Sequence, residues 1–308
     1  MANDDRLMVL DSASMYFRAF FGVPEVTAAD GTPVNAVRGF LDFISRLVGD
    51  YRPTHLVCAW DNDWRPRWRV DLIPSYKSHR VVVARPGPQP DIEEVPDPLE
   101  VQVPIIVEVL AAAGLCVVGA DGYEADDVIG TVATGAAMPV DVVTGDRDLF
   151  QLVDDAEGVR VLYIARGVGN HERVTDHVVV EKYRVLPSQY ADFATMRGDA
   201  SDGLPGVPGI GEKTASSLLL KFGDLKGIVA AAADADSEMS PGPRRRILDA
   251  ADYLEVAPTV VAVARDIDLT PYDARLPAEP ADPARLDELA ERYNLSSPVS
   301  RLLATLAG

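Results

Sequence analysis

Over its first 175 or so residues the chain alternates between two hydrophobic periods, and that alternation limits the fold more than any other feature. Short, mainly apolar runs stand at 7–10 (LMVL), 55–60 (HLVCAW), 115–118 (LCVV), 140–143 (VDVV) and 159–164 (VRVLYI). Between them, apolar residues recur at helical spacing. One such stretch aligns Val37, Phe40, Leu41, Ile44, Leu47 and Val48 on one face, with Asn35 as candidate N-cap. Others cover 99–113 and 125–136. Strands apolar along their length, separated by amphipathic helices, predict an α/β fold with a mainly parallel central sheet covered on both faces. Such sheets place their sites outside the carboxyl ends of the strands.

Beyond about residue 176 the strand period stops, and short helices punctuated by Gly and Pro follow. The pattern predicts two parts, 1–175 and 176–308. In the second, GLPGVPGIGEKT (203–214) reads as a glycine turn opening a helix over 212–222. Asp282-Pro283 reads as the start of a helix reaching about Tyr293. Residues 81–98, rich in Pro and acids, fit neither part and read as a mobile loop.

The chain carries 29 basic and 48 acidic residues, a net charge of −19. Taken alone, that argues against a polyanionic partner. The positions of the acids reverse the inference. The first apolar run ends in Asp11 and the second in Asp61. The third leads into GYEADD with Glu124, Asp126 and Asp127, and the fourth into Asp146 and Asp148. Asp199 and Asp202 open the helical part. Any one of these is an ordinary turn or cap residue, and Asp126 and Asp127 also suit a helix dipole. Gathered on one rim they would repel and raise one another's pKa values. Divalent cations relieve that repulsion, and all-oxygen ligation suits two or more Mg²⁺ or Mn²⁺ ions. Hard cations on carboxylates point to phosphoryl chemistry. A haloacid-dehalogenase-type phosphatase would need Asp-x-Asp after the first strand, where Asp11-Ser12-Ala13 stands.

The segment 62–85 carries Arg65, Arg67, Arg69, Lys77, Arg80 and Arg85 against Asp63 and Asp71, with Trp64, Trp68 and Tyr76 interleaved. Cations for phosphates and flat rings for bases are what a single-strand grip requires. For Trp64 and Trp68 the preferred reading is packing at i, i+4 on the core; for Lys77 and Arg80 it is function. The glycine turn is a second nucleic-acid signal, because free amides at a helix start hold phosphate, and Lys213, Lys221 and Lys226 are near. Cys58 and Cys116 lie in apolar runs and read as buried free thiols. The start MANDDRLMVL has no apolar segment after a basic stretch, so a cytoplasmic location is expected. Residues 103–120 are broken by Pro104, Glu108 and Gly114 and do not read as a membrane span.

The motifs VLDSASMYFRAF, PTHLVCAWD, YKSHR, GYEADDVIG, TGDRDLFQLV and RGDASDGLPGVPGIGEKTA follow one another in order. Together they resemble the bacterial 5′→3′ exonuclease/flap endonuclease family, which includes the N-terminal nuclease domain of family A DNA polymerases and stand-alone relatives. The resemblance implies a PIN-like nuclease core (1–175) with a helical arch at about 62–98. It also implies a C-terminal helical duplex-DNA-binding part (176–308) with a helix-hairpin-helix-like motif. Asp11, Asp61, Glu124, Asp126, Asp127, Asp146, Asp148, Asp199 and Asp202 would hold the metal ions. Lys77 and Arg80 would be catalytic, contacting the scissile phosphate. Arg18 and Tyr76 would lie near the junction nucleotide, and Gly206, Gly209, Gly211 and Lys213 would grip a duplex strand. The backbone carbonyls of Leu204, Val207 and Ile210 would hold K⁺. The implied activity is structure-specific hydrolysis of DNA with 5′ flaps, nicks or RNA primers by a monomer, in replication and repair. Two other classes compete: a catalytically silent junction-binding protein and a PIN-type ribonuclease. The chain departs from the family pattern at Ser12, at Gly203 and in the acid-rich run 86–98.

Overall fold

The computed structural model describes residues 5–85 and 89–307. In chain order the strands are β1 (Leu7–Asp11), β2 (His55–Trp60), β3 (Val81–Val83), β4 (Ile92–Glu93), β5 (Cys116–Gly119), β6 (Val140–Thr144), β7 (Val159–Tyr163) and β8 (Glu172–Val174). Six of them form one sheet in the order β5-β2-β1-β6-β7-β8. All neighbours run parallel except β8, which returns antiparallel to β7. Register is set at the centre, where Met8 of β1 lies between Leu56 of β2 and Asp141 of β6. The chain builds outward from β1 to β2 and β5, then crosses to β6 and β7. The direction of winding therefore reverses beside β1, and a crevice opens there at the strand ends.

Alternation along β1 sends side chains to two separate cores. Leu7 and Val9 join a cluster with Val128, Ile129 and Val132 of the helix Ala125–Gly135. Met8 and Leu10 join another with Phe40, Leu41 and Ile44 of the helix Asn35–Tyr51. Asn35 is the first residue of that helix rather than its cap, and its side-chain amide donates to the carbonyls of Phe20 and Val23. The helices Glu212–Phe222 and Pro283–Arg292 match expectation, the latter capped by Asp282, which accepts from the Arg285 amide at 2.9 Å.

Helices from the end of the chain do not stay with the second part. Pro283–Arg292 packs on the helix Val103–Ala113, and Ser296–Leu306 packs on Asn35–Tyr51. Val299 and Leu302 are buried in the same cluster as Met8. Burying such a side chain contributes about 1.5–3 kcal/mol. A cut at 175/176 thus leaves the first core short of two of its helices. Among the described residues, no helix is long and apolar enough to cross a membrane.

The stretch 81–98 is not a structureless loop, although its residues 86–88 lie outside the described ones. β3 and β4 pair antiparallel, with Val81 opposite Glu93. Asp91 fastens the hairpin: it accepts from Arg65 at 2.5 Å and from the Arg85 amide at 2.8 Å, and its carbonyl accepts from the Trp64 indole. Nor do the described residues of 62–98 form a long helical arch. They hold the short helices Arg67–Leu72 and Ser78–Arg80 and the start of Asp97–Glu100. Trp64 precedes the first of these, so no i, i+4 Trp pair exists. Trp68 instead lies against Arg69, whose guanidinium stands 4.4 Å from its ring.

Candidate metal centre and nucleic-acid interface

Carboxylates at or just after the strand ends also accept backbone amides at the starts of other elements. Asp11 closes β1 and caps the helix Ser12–Gly22, accepting from the Ser14 amide at 3.0 Å; its other oxygen accepts from the Thr144 hydroxyl at 2.7 Å. Asp61 accepts from the Ala125 amide at 2.7 Å. Asp146 accepts from the Asp148 amide at 2.8 Å. These bonds use one oxygen of Asp61 and of Asp146 and leave the other, so the structural and functional readings of these acids coexist.

The acids meet in one cavity at the carboxyl ends of the strands. Asp11, Asp61, Glu93, Glu124, Asp126, Asp146 and Asp199 line it together with Lys77, Arg80 and Arg147. Seven carboxylates thus face three cations. Burial, with repulsion from neighbouring acids, pushes the Asp11 carboxyl up to about 7. Burial also holds Asp126 well above the usual carboxylate range, with Asp11 and Asp146 adding to the shift. Asp148 lies just behind, similarly raised by burial and by Asp146, Asp202 and Asp199, and its Oδ1 has no hydrogen-bond partner. A buried acceptor without a hydrogen-bond partner beside excess negative charge fits a cation site. Oxygen donors alone suit a hard divalent ion. Among the described residues, no three acidic, His or Cys side chains already stand around one point closely enough to ligate an ion.

Asp127 does not belong to this set, and the expectation that it ligates metal is corrected. It is fully buried, and both its oxygens accept from Arg69 at 2.7 Å. The Ala264 amide also donates to it at 2.8 Å. Arg69 spends its remaining donors on Glu124 (3.0 Å) and the Val260 carbonyl (3.0 Å). Tyr76 is corrected likewise. It is buried with its hydroxyl donating to Glu124 at 2.6 Å, so its ring is not a surface for a nucleotide. Arg69 carried no signal beyond membership of a basic run, because its partners lie 55 and 58 residues away.

Lys77 also bonds Glu124 through its ammonium group. Its backbone is left-handed (φ 47°), uncommon for a side chain of this kind. The turn carrying Asp199 and Asp202 holds it there, since the Lys77 amide donates to the Asp202 carbonyl at 2.9 Å. That contact depends on Gly203. A Cβ at this position, itself at φ +69°, would stand 2.1 Å from the Ser75 carbonyl oxygen. Arg80 reaches the same turn, donating to the Ser201 carbonyl (2.7 Å) and to Asp202 (3.2 Å). Asp202 itself does not line the cavity. Asp199 lines it, and it accepts from the Ser201 amide at 2.8 Å. Arg18 lines a neighbouring cavity with Phe17, Phe21 and Arg166, and Ser14 and Phe17 line both cavities.

The glycine turn lies between the helices Tyr190–Arg197 and Glu212–Phe222. Its glycines do not share one open face. A Cβ on Gly206 (φ +65°) would meet the Arg197–Gly198 backbone at 2.6 Å, so this glycine serves internal packing. Gly209 (φ +79°) lies under Arg246, which donates to its carbonyl at 2.9 Å. Gly211 is open, and it precedes the helix that carries the exposed Lys213. The carbonyls of Leu204 and Val207 each already accept one backbone amide, from Asp199 and Ile210.

Residues 6–184 match the model of the 5′-3′ exonuclease N-terminal resolvase-like domain, and 185–284 that of the 5′-3′ exonuclease C-terminal SAM fold. The chain belongs to the 5′-3′ exonuclease family. It is 60% identical over 300 residues to a 5′-3′ exonuclease of Streptomyces coelicolor, covering 97% of this chain and 99% of that one. It is 37% identical over 306 residues to a DNA polymerase I of Mycobacterium bovis, covering 98% of this chain and 32% of the polymerase. The structure of T5 5′-exonuclease with bound divalent metal ions (zinc) superposes with a TM-score of 0.65 at 17% identity, covering 98% of each chain. That likeness extends the shared fold across both parts.

Proposed function

We propose that this family member is a divalent-metal-dependent 5′ nuclease that cuts phosphodiesters where single-stranded DNA meets duplex. The observation that carries this reading is the cavity at the strand ends, where seven carboxylates outnumber three cations. Asp11, Asp61, Asp126, Asp146 and Asp148 would hold Mg²⁺ or Mn²⁺, with Glu124, Asp199 and Asp202 at the margins. Bound there, the ions would supply charge neutralisation and Lewis-acid activation for hydrolysis.

Lys77 and Arg80 stand at the side of the cavity where the hairpin and the Asp199–Asp202 turn meet. Their charges stabilise the extra negative charge a phosphate gains on attack. Lys77 is held on Glu124 until a stronger anion is offered, so it stays charged and oriented. Hydrolysis leaves 5′-phosphate and 3′-hydroxyl ends. Arg18 lies beside the nucleotide next to the cut. Gly211 and Lys213, at an open helix start, hold a duplex phosphate, and K⁺ would sit on the carbonyls of Leu204, Val207 and Ile210. The protein acts as a monomer in the cytoplasm on 5′ flaps, nicks and RNA primers. Digestion of a labelled 5′-flap duplex with and without Mg²⁺ or Mn²⁺, with product sizing, tests the reading. Metal-dependent release of the flap is expected, and intact DNA under all conditions would refute it.

A further inference from the structure

Glu93 lies outside the set of acids that follow the strands of the six-stranded sheet. It is the last residue of β4, and it enters the same cavity from the hairpin side. Its placement is constrained on both flanks. Val81 pairs opposite it, and the next amide, Glu94, donates to the Arg80 carbonyl at 2.8 Å. Two residues earlier, Asp91 is tied to Trp64 and Arg65. The Glu93 carboxylate lies 4.0 Å from Nη1 of Arg80, and the Glu93 side chain is 21% exposed. The other terminal nitrogen of Arg80 is committed to Ser201 and Asp202. Glu93 therefore stands by the nitrogen of Arg80 that remains for an incoming anion. Adding a carboxylate to a rim already crowded with them costs energy through repulsion, so the hairpin holds it there against its surroundings.

We propose that Glu93 is a specificity-determining residue: an internal competitor for the phosphate at Arg80 that favours release of cleaved product over uncleaved strand. The inference rests on the nuclease reading above. An internal phosphodiester carries one negative charge. The terminal 5′-phosphate left by cleavage carries about −1.5 to −2 at pH 7. A fixed carboxylate beside Arg80 repels the product more than the substrate, so the site discriminates by a repulsive element as well as an attractive one.

The test is equilibrium binding in EDTA by the full chain and by Glu93→Gln, which keeps shape and removes charge. Three ligands are compared: an uncleaved 5′-flap duplex, a nicked duplex with a 5′-phosphate, and the same nick with a 5′-hydroxyl. Glu93→Gln should tighten the 5′-phosphate nick about fivefold, the upper range for one partly exposed charge pair. The other two ligands should gain less. The gain should vanish in an Arg80→Ala background, and in turnover it should appear as stronger inhibition by 5′-phosphorylated product. Equal gains for all three ligands, or a gain that survives Arg80→Ala, would show a general charge effect and overturn the assignment. So would weakened Mn²⁺ binding with unchanged DNA affinity, which would make Glu93 an ion ligand. Glu93→Ala serves as a second variant, with the melting temperature showing that each is folded. Wild-type cleavage of the flap in Mg²⁺ is run alongside. Its failure would count against the nuclease reading, whereas cleavage without the Glu93→Gln shift would count only against this inference.

Discussion

On one shoulder of the acidic rim, Glu124 and Asp127 are gripped by Arg69, Lys77 and the Tyr76 hydroxyl. On the other, Asp11, Asp126 and Asp146 have no cation within ion-pair distance among the described residues, and Asp148 has only Arg197 at 3.9 Å. The residue types are the same and so is their place at strand ends. What differs is who supplies the compensating charge. The first shoulder is neutralised by the protein and acts as a structural joint between the Arg67–Leu72 helix, the Ala125–Gly135 helix and the carbonyl of Val260. On the proposed reading the second is left for ions from solution. An acid on the rim is thus proposed as a main ligand where the fold withholds a partner, and Glu124, held by the protein, stays at the margin.

The largest test of this contrast is Asp148→Asn. Cleavage should fall by on the order of 10³-fold in a Mg²⁺ titration, if one charge at a cation site matters as much as one donor at a developing anion. Without metal the same variant should melt at or above wild type, because a buried repulsion is removed. Near-normal cleavage at saturating Mg²⁺ would move Asp148 to the neutralised shoulder.

Arg69→Met should behave in the opposite way. It strands Asp127, fully buried, and should cost about 3–5 kcal/mol in urea unfolding. Combining it with Asp127→Leu should recover much of that loss, since a buried pair replaced by apolar groups is often neutral. If the double variant is stable yet has lost Mn²⁺ affinity, Asp127 is a ligand after all and the contrast fails.

A smaller effect sharpens the comparison through pH. The folded-state carboxyls of Asp11 (about 7), Asp126 and Asp148 are raised above their unfolded values. Between about pH 4 and pH 7 the folded state thus binds more protons than the unfolded one, and metal-free stability should fall as pH rises. Saturating Mg²⁺ should flatten the decline. A metal-free melting temperature that climbs across this window would mean the second shoulder is compensated within the protein. The smallest effect is expected at Gly209→Ala, where φ +79° and the overlying Arg246 should cost about 1 kcal/mol. Duplex binding in EDTA should stay near wild type, because Gly211 and Lys213 form the open helix start. Weakened binding by the folded variant would add Gly209 to the grip.

Much of this was legible in the residues. The five apolar runs became parallel strands, and of the acids after them Asp11, Asp61, Glu124, Asp126 and Asp146 line one cavity, whereas Asp127 and Asp148 do not. What could not be read was pairing at a distance. Arg69 looks like any arginine of a basic run until the fold brings it to Asp127. The Pro- and acid-rich stretch suggested a loop because its strands are two and three residues long, too short for a period to show. Glu93 was hidden for that reason. The antiparallel β8 was missed too, since three residues ending on one buried Val174 carry no alternation. Gly206 and Gly209 were recognised as turn glycines, but whether a glycine faces a ligand or its own backbone depends on what packs across it.

The helix Ser296–Leu306 lies against Asn35–Tyr51, and these partners are separated by nearly the whole sequence. The layer behind β1 is complete only with Leu302 in place, since Val299 and Leu302 are buried with Met8 and Leu10. The strand that carries Asp11 thus owes part of its enclosure to residues far along the chain. Loss of that helix would open Met8's cluster and take from the hydrolytic rim part of its rigid backing.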